Sequence, residues 1–92
     1  MATSKAWRAL KKARAQRIAL EHRIGLLQKA LNNCAANGEW AMVARIALDL
    51  EHQVSVQAKY NAAIEAASAA NEAAEEKMLG ALAELPKLSI AD

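Results

Sequence analysis

An all-α fold, an antiparallel hairpin of two long helices with a coiled-coil-like seam, is what this sequence predicts. Three observations carry the prediction. Alanine, which loses no side-chain entropy in a helix, fills 24 of the 92 positions. Apolar residues recur at spacings of three and four through most of the chain. Asn37-Gly38 is the one strong break between two helix-favouring stretches. Glycine reaches the left-handed conformation without a Cβ clash and asparagine tolerates it next best, so the pair ends one helix and turns the chain back.

The first helix is expected over about residues 4–36, with Thr3 or Ser4 as its cap. Its seam runs Ala6, Leu10, Ala13, Arg17, Leu20, Ile24, Leu27, Leu31 and Cys34, a heptad pattern in which Arg17 is the one polar member. Gly25 disfavours helix by about 1 kcal/mol against alanine, and it either lies exposed or lets a second helix approach closely. After the turn at 37–38, a second helix is expected over about 39–85, with Glu39 suited to the positive end of the helix dipole. Val43, Ala47, Leu50 and Val54 form its first seam. Gln57 and Asn61 then interrupt the frame, and Tyr60, Ile64, Ala67, Asn71, Ala74, Met78, Ala81 and Leu85 restart it one step away, as if across a stammer.

Leu85-Pro86 closes the second helix, because proline disfavours helical geometry in the residue before it, and 86–92 form a tail. A helix over 39–85 would be about 70 Å long against about 50 Å for the first, so its last turns overhang the hairpin and call for another chain. The alternative is a break at Ser68 to Asn71, with Asn71 capping a short third helix from about Glu72. The alanine-rich sequence supplies no strong stop there, which favours the overhang. The whole forms one domain, and its two Trp, one Tyr and no Phe make a thin core. Thin cores gain burial by oligomerising.

The net charge of +2 conceals a dipolar chain. Residues 1–36 carry eight basic side chains against Glu21 alone, a net of +7, and residues 37–92 carry a net of −5. In a hairpin, the basic segment lies beside Glu65 and Glu72, so internal pairing is one expectation. The competing expectation is that Lys5, Arg8, Lys11, Lys12 and Arg14 bind an acidic partner or nucleic acid by releasing phosphate counterions. Trp7 is the one aromatic residue among them, and these cations spread around the helix instead of forming a single stripe.

Catalytic and metal chemistry find little support. His22 and His52 fall at nearly the same height of the hairpin, inside a faint repeat of Arg17-Ile18-Ala19-Leu20 and Arg45-Ile46-Ala47-Leu48. The heptad frames turn both histidines outward, and the Glu-x-x-His spacing of di-metal bundles is missing. No phosphate loop or nucleophile constellation is visible, so neither an enzyme nor a cofactor is expected. Gly38-Glu39-Trp40 reverses the Trp-x-Gly order that marks the small secreted WxG hairpin proteins, so that motif does not place the chain among them.

A single cysteine points to a reducing, cytoplasmic setting, with no signal-like or membrane-spanning apolar run. The function expected from these features is non-enzymatic: protein–protein interaction as an adaptor, inhibitor or structural accessory protein, together with self-association into a homo-oligomer. Sequence-independent nucleic-acid binding through the basic first helix is the alternative. The residues expected at helix–helix or intersubunit contacts are Trp7, Leu10, Tyr60, Ile64, Met78, Leu82 and Leu85.

Overall fold

The computed structural model of the chain describes residues 5–69, 75–86 and 88. Among them there are three α-helices and no strand: α1 (Lys5–Ala36), α2 (Trp40–Ala69) and α3 (Glu75–Ala83). The hairpin and its turn are as the sequence predicts. Gly38 has φ 72°, in the left-handed region. Its N–H donates to the Ala35 carbonyl at 3.2 Å, and the Glu39 N–H donates to the Cys34 carbonyl at 2.9 Å. These two bonds are the Schellman pair that satisfies the last carbonyls of a helix.

The favoured overhang is not what forms. Tyr60 Oη donates to the Pro86 carbonyl at 2.9 Å, whereas in an unbroken helix 26 residues would separate them by about 39 Å. The chain therefore folds back, and α3 packs against both α1 and α2 as a third layer. The expected caps Thr3, Ser4 and Asn71 and the expected helix start at Glu72 lie outside the described residues. The first turn of α1 receives a cap from α3, since the Ala6 N–H donates to Glu75 Oε1 at 3.1 Å. A carboxylate at a helix N-terminus satisfies an orphan donor and complements the dipole.

One apolar cluster joins the three helices. Ala6, Leu10, Ala13, Leu20 and Ile24 come from α1, Val56, Tyr60, Ile64 and Ala67 from α2, and Met78 and Leu82 from α3. It occupies the open end of the hairpin. Between Ile24 and Gln53, on either side of the turn, no residue is buried. The molecule is accordingly elongated, 55 × 21 × 17 Å, with a radius of gyration of 16.5 Å against about 12 Å for a compact domain of this length.

Candidate functional site

Alpha-helical rotation decides which residues of the turn end face what. The α2 side chains that point toward α1 are Ile46, Asp49, Gln53, Val56 and Tyr60, again spaced by three and four, and Gln53 is buried. Gln53 Nε2 donates to Asp49 Oδ1 at 3.2 Å, and Asp49 pairs with Arg23 of α1 at 3.8 Å. The Gln53 side chain is thus satisfied within the hairpin, as a buried polar group must be. One continuous frame contacts α1, without a stammer.

The sequence's first α2 seam is a different face. Projected at about 100° per residue, Trp40, Val43, Ala47, Leu50 and Val54 fall within about 80° of one another, to one side of the α1 contact. Trp40 is 67% exposed and Val54 45% exposed. Ala47 is exposed, while Val43 and Leu50 are half-buried. The result is an apolar stripe at heptad spacing, about 21 Å long, partly open to solvent, with Leu50 packed against the edge of the core.

Cross-helix bonds define the flank on which the stripe lies. Arg14 Nη2 donates to Ser68 Oγ at 3.2 Å, joining one flank of α1 to one flank of α2. Gly25 stands about three turns beyond Arg14, and Leu50 five turns before Ser68, so Gly25 and Leu50 share that flank. Apart from its chain neighbours and the backbone of its own helix, no atom lies within 4 Å of where a Gly25 Cβ would stand. The third helix takes the opposite flank, where Leu82, Leu85 and Pro86 meet Ala9, Ala13, Gln16 and Tyr60. Beside it runs an open, alanine-lined groove of about 540 Å³ between Ala62, Ala63, Ala66 and Ala81.

Of the residues expected at helix–helix or intersubunit contacts, most lie at helix–helix contacts within the chain. Leu10, Tyr60, Ile64, Met78 and Leu82 are buried in its own core, and Leu85 packs against it. Only Trp7 is exposed, with the Arg14 guanidinium 5.8 Å from its ring centroid. This is the distance of a weak cation–π contact. Val43, Ala47, Leu50 and Val54 read in the sequence as the hairpin's own seam. The signal that could have separated the two frames is Asp49 with Gln53, an i, i+4 pair able to satisfy itself while facing inward.

Lys5, Arg8, Lys11 and Lys12 are exposed and Arg14 is half-buried. Among the described residues none of the five forms an ion pair, and Glu65 stands exposed without one. Glu72, the other expected partner, lies outside the described residues. Arg17, the polar member of the α1 seam, reaches along its own helix to Glu21 at 3.9 Å.

His22 and His52 are both exposed, and no group of three or more His, Cys, Asp or Glu among the described residues could hold a metal ion. Cys34 is half-buried beside the turn. Burial pushes its thiol pKa up from the usual value, and the hydrogen-bonded, negatively charged Glu39 adds to the shift. No described helix is long and apolar enough to cross a membrane. No protein-family model matches the chain, nor does any curated protein or solved structure.

Proposed function

We propose that this is a non-enzymatic helical protein that acts by binding protein, through the stripe on α2, and that self-association is part of its action. The observation that carries this reading is the heptad-spaced stripe of Trp40, Val43, Ala47, Leu50 and Val54, in which Trp40, Ala47 and Val54 are exposed and the other two half-buried. A strip of this spacing packs as knobs into the holes of a facing helix, and a side-by-side helix is the partner geometry it fits. Leu26 and Leu48, also exposed, point away from the strip, as single surface apolar residues often do. A cytoplasmic site of action suits the lone Cys34. Capture from a cell extract, with the protein immobilised through its C-terminus, tests the reading. Val54→Glu should abolish specific capture and Lys12→Ala should leave it intact; equal capture by both variants would refute a role for the stripe.

The basic end of α1 supports a second reading, nucleic-acid binding. Five cations without an ion pair among the described residues surround the exposed Trp7, which supplies a stacking surface beside phosphate-binding charges. A salt-dependent shift assay discriminates between the two. Replacing Lys11, Lys12 and Arg14 with alanine should flatten the salt slope by about 0.9 for each lost duplex phosphate contact. Lack of any shift at low salt would remove this reading.

A further inference from the structure

We propose that the basic first turns of α1 bind B-form DNA duplex by lying in its major groove, where cations on both sides of the helix meet the phosphates of both groove walls. The inference rests on the nucleic-acid reading above and names the form of nucleic acid that the geometry fits.

Local charge is the starting point. Between Lys5 and Leu20, α1 carries Lys5, Arg8, Lys11, Lys12, Arg14 and Arg17 and no Asp or Glu. Arg17 reaches along the helix to Glu21, and the other five make no ion pair among the described residues. Glu75 caps the Ala6 N–H without pairing with any of them.

Their arrangement comes next. Projected at about 100° per residue, Arg14, Lys11, Arg8, Lys12 and Lys5 follow one another around about 180° of the helix, over about 14 Å of its axis. Ala6, Leu10 and Ala13 take the other side and are buried. Two contacts fix the edges of this arc. Arg14 is held on the flank of Ser68 by their 3.2 Å bond, and Lys12 stands on the opposite flank, beside Leu82, Leu85 and Pro86.

That spread selects the ligand. A facing helix meets a stripe only about 100° wide. A single strand follows one track and stacks successive bases on aromatic side chains, of which Trp7 is the only one in α1. A duplex groove, by contrast, puts anionic charge on both sides of an inserted helix. The B-form major groove is about 12 Å wide and a helix with its side chains about 10–12 Å across, so the two match. The deep, narrow major groove of A-form RNA does not admit it. The exposed residues between positions 5 and 19 include no Asn, Gln, Asp or Glu, so the contacts are chiefly to phosphate and base sequence contributes little.

Fluorescence anisotropy of the full chain tests the proposal with labelled probes of one mixed sequence: a DNA duplex, its single strand and the matching RNA duplex. The DNA duplex should bind about tenfold or more tighter than either of the others. Between about 50 and 200 mM salt, log K should fall against log salt with a slope of about −2.7 to −4.5, for about three to five phosphate contacts. Lys12→Ala and Arg14→Ala, on opposite flanks, should each flatten that slope by about 0.9. Ser68→Ala, which removes the bond to Arg14 but no charge, should leave the slope unchanged, as should Lys29→Ala, on the same helix beyond the cluster. Equal or tighter binding of the single strand or the RNA duplex would overturn the proposal while leaving the nucleic-acid reading in place. So would a slope that either Lys12→Ala or Arg14→Ala leaves unchanged, or that Ser68→Ala flattens as much as Arg14→Ala. Failure of every probe to bind at low salt would overturn both, and would leave the cluster to an acidic protein surface.

Discussion

Tyr60→Phe removes one oxygen from the largest fully buried side chain and tests how the third helix is held. Tyr60 is 1% exposed, and its hydroxyl proton goes to the Pro86 carbonyl at 2.9 Å, with Gln16 Oε1 standing off at 3.4 Å. Phenylalanine fills the same ring space, so no large cavity opens. What is lost is one hydrogen bond, and what is left is a half-buried Pro86 carbonyl without its donor. Together these should destabilise the fold by about 1–2 kcal/mol. At about 4–8 °C per kcal/mol for a domain of this size, the melting temperature should drop by about 4–16 °C. Amide exchange in α3 should accelerate more than exchange in α1, because the bond ties down the segment that follows α3.

The pH dependence gives a second readout. Burial raises the Tyr60 pKa above its usual 10.0. In the interval between the unfolded and folded values, the folded state holds a proton that the unfolded state has lost. Its contribution is therefore complete below pH 10.0 and is lost as pH rises through the folded value. The wild type should lose stability above that pH more steeply than Tyr60→Phe, which has no group to titrate there. An unchanged melting temperature together with unchanged α3 exchange would refute the clamp.

Further outcomes follow from the other junctions. Glu75→Ala should destabilise the chain by about 1 kcal/mol through loss of the cap on the Ala6 N–H, with Glu75→Gln recovering part of it, both measured by urea unfolding. Gly80→Ala, at a site with nothing within 4 Å of the new methyl, should raise stability by about 1 kcal/mol in the same assay. Iodoacetamide should modify Cys34 with a pH midpoint above 9.0, and Glu39→Gln should move that midpoint down, because the carboxylate opposes thiolate formation.

Much of the fold is legible in local chemistry. The α1 seam, the Gly38 turn and the stop at Leu85-Pro86 each depend on a few neighbouring residues, and the first seam is buried at Ala6, Leu10, Ala13, Leu20 and Ile24. What the sequence hides is tertiary. The third helix is held by Glu75 reaching Ala6 and by Tyr60 reaching Pro86, contacts across 69 and 26 residues that no periodicity records. The α2 register is hidden for a different reason. Its inward positions include Asp49 and Gln53, which look solvent-facing until their mutual bond and the Arg23 pair are seen. A neighbouring stripe of Val43, Ala47, Leu50 and Val54 then takes the place of the seam in any reading by hydrophobicity.

That substitution separates the residues that hold the fold from those that would meet a partner under the proposed function. Tyr60, Ile64, Met78 and Leu82 hold the open end together and are enclosed by it, so changing them alters stability first. The stripe residues Trp40, Ala47 and Val54 are exposed on the flank away from α3. Changing them removes little burial from the single chain. If apolar seam length alone governed the molecule, both sets would be needed for folding. Because the polar Asp49–Gln53 pair takes the inward register, much of a heptad seam remains outside: Trp40, Ala47 and Val54 are exposed, while Leu50 packs against the edge of the core. Apolar surface in that position lowers free energy only when something covers it, so under the proposed function the turn end, without a buried residue between Ile24 and Gln53, is where a partner has most to stabilise.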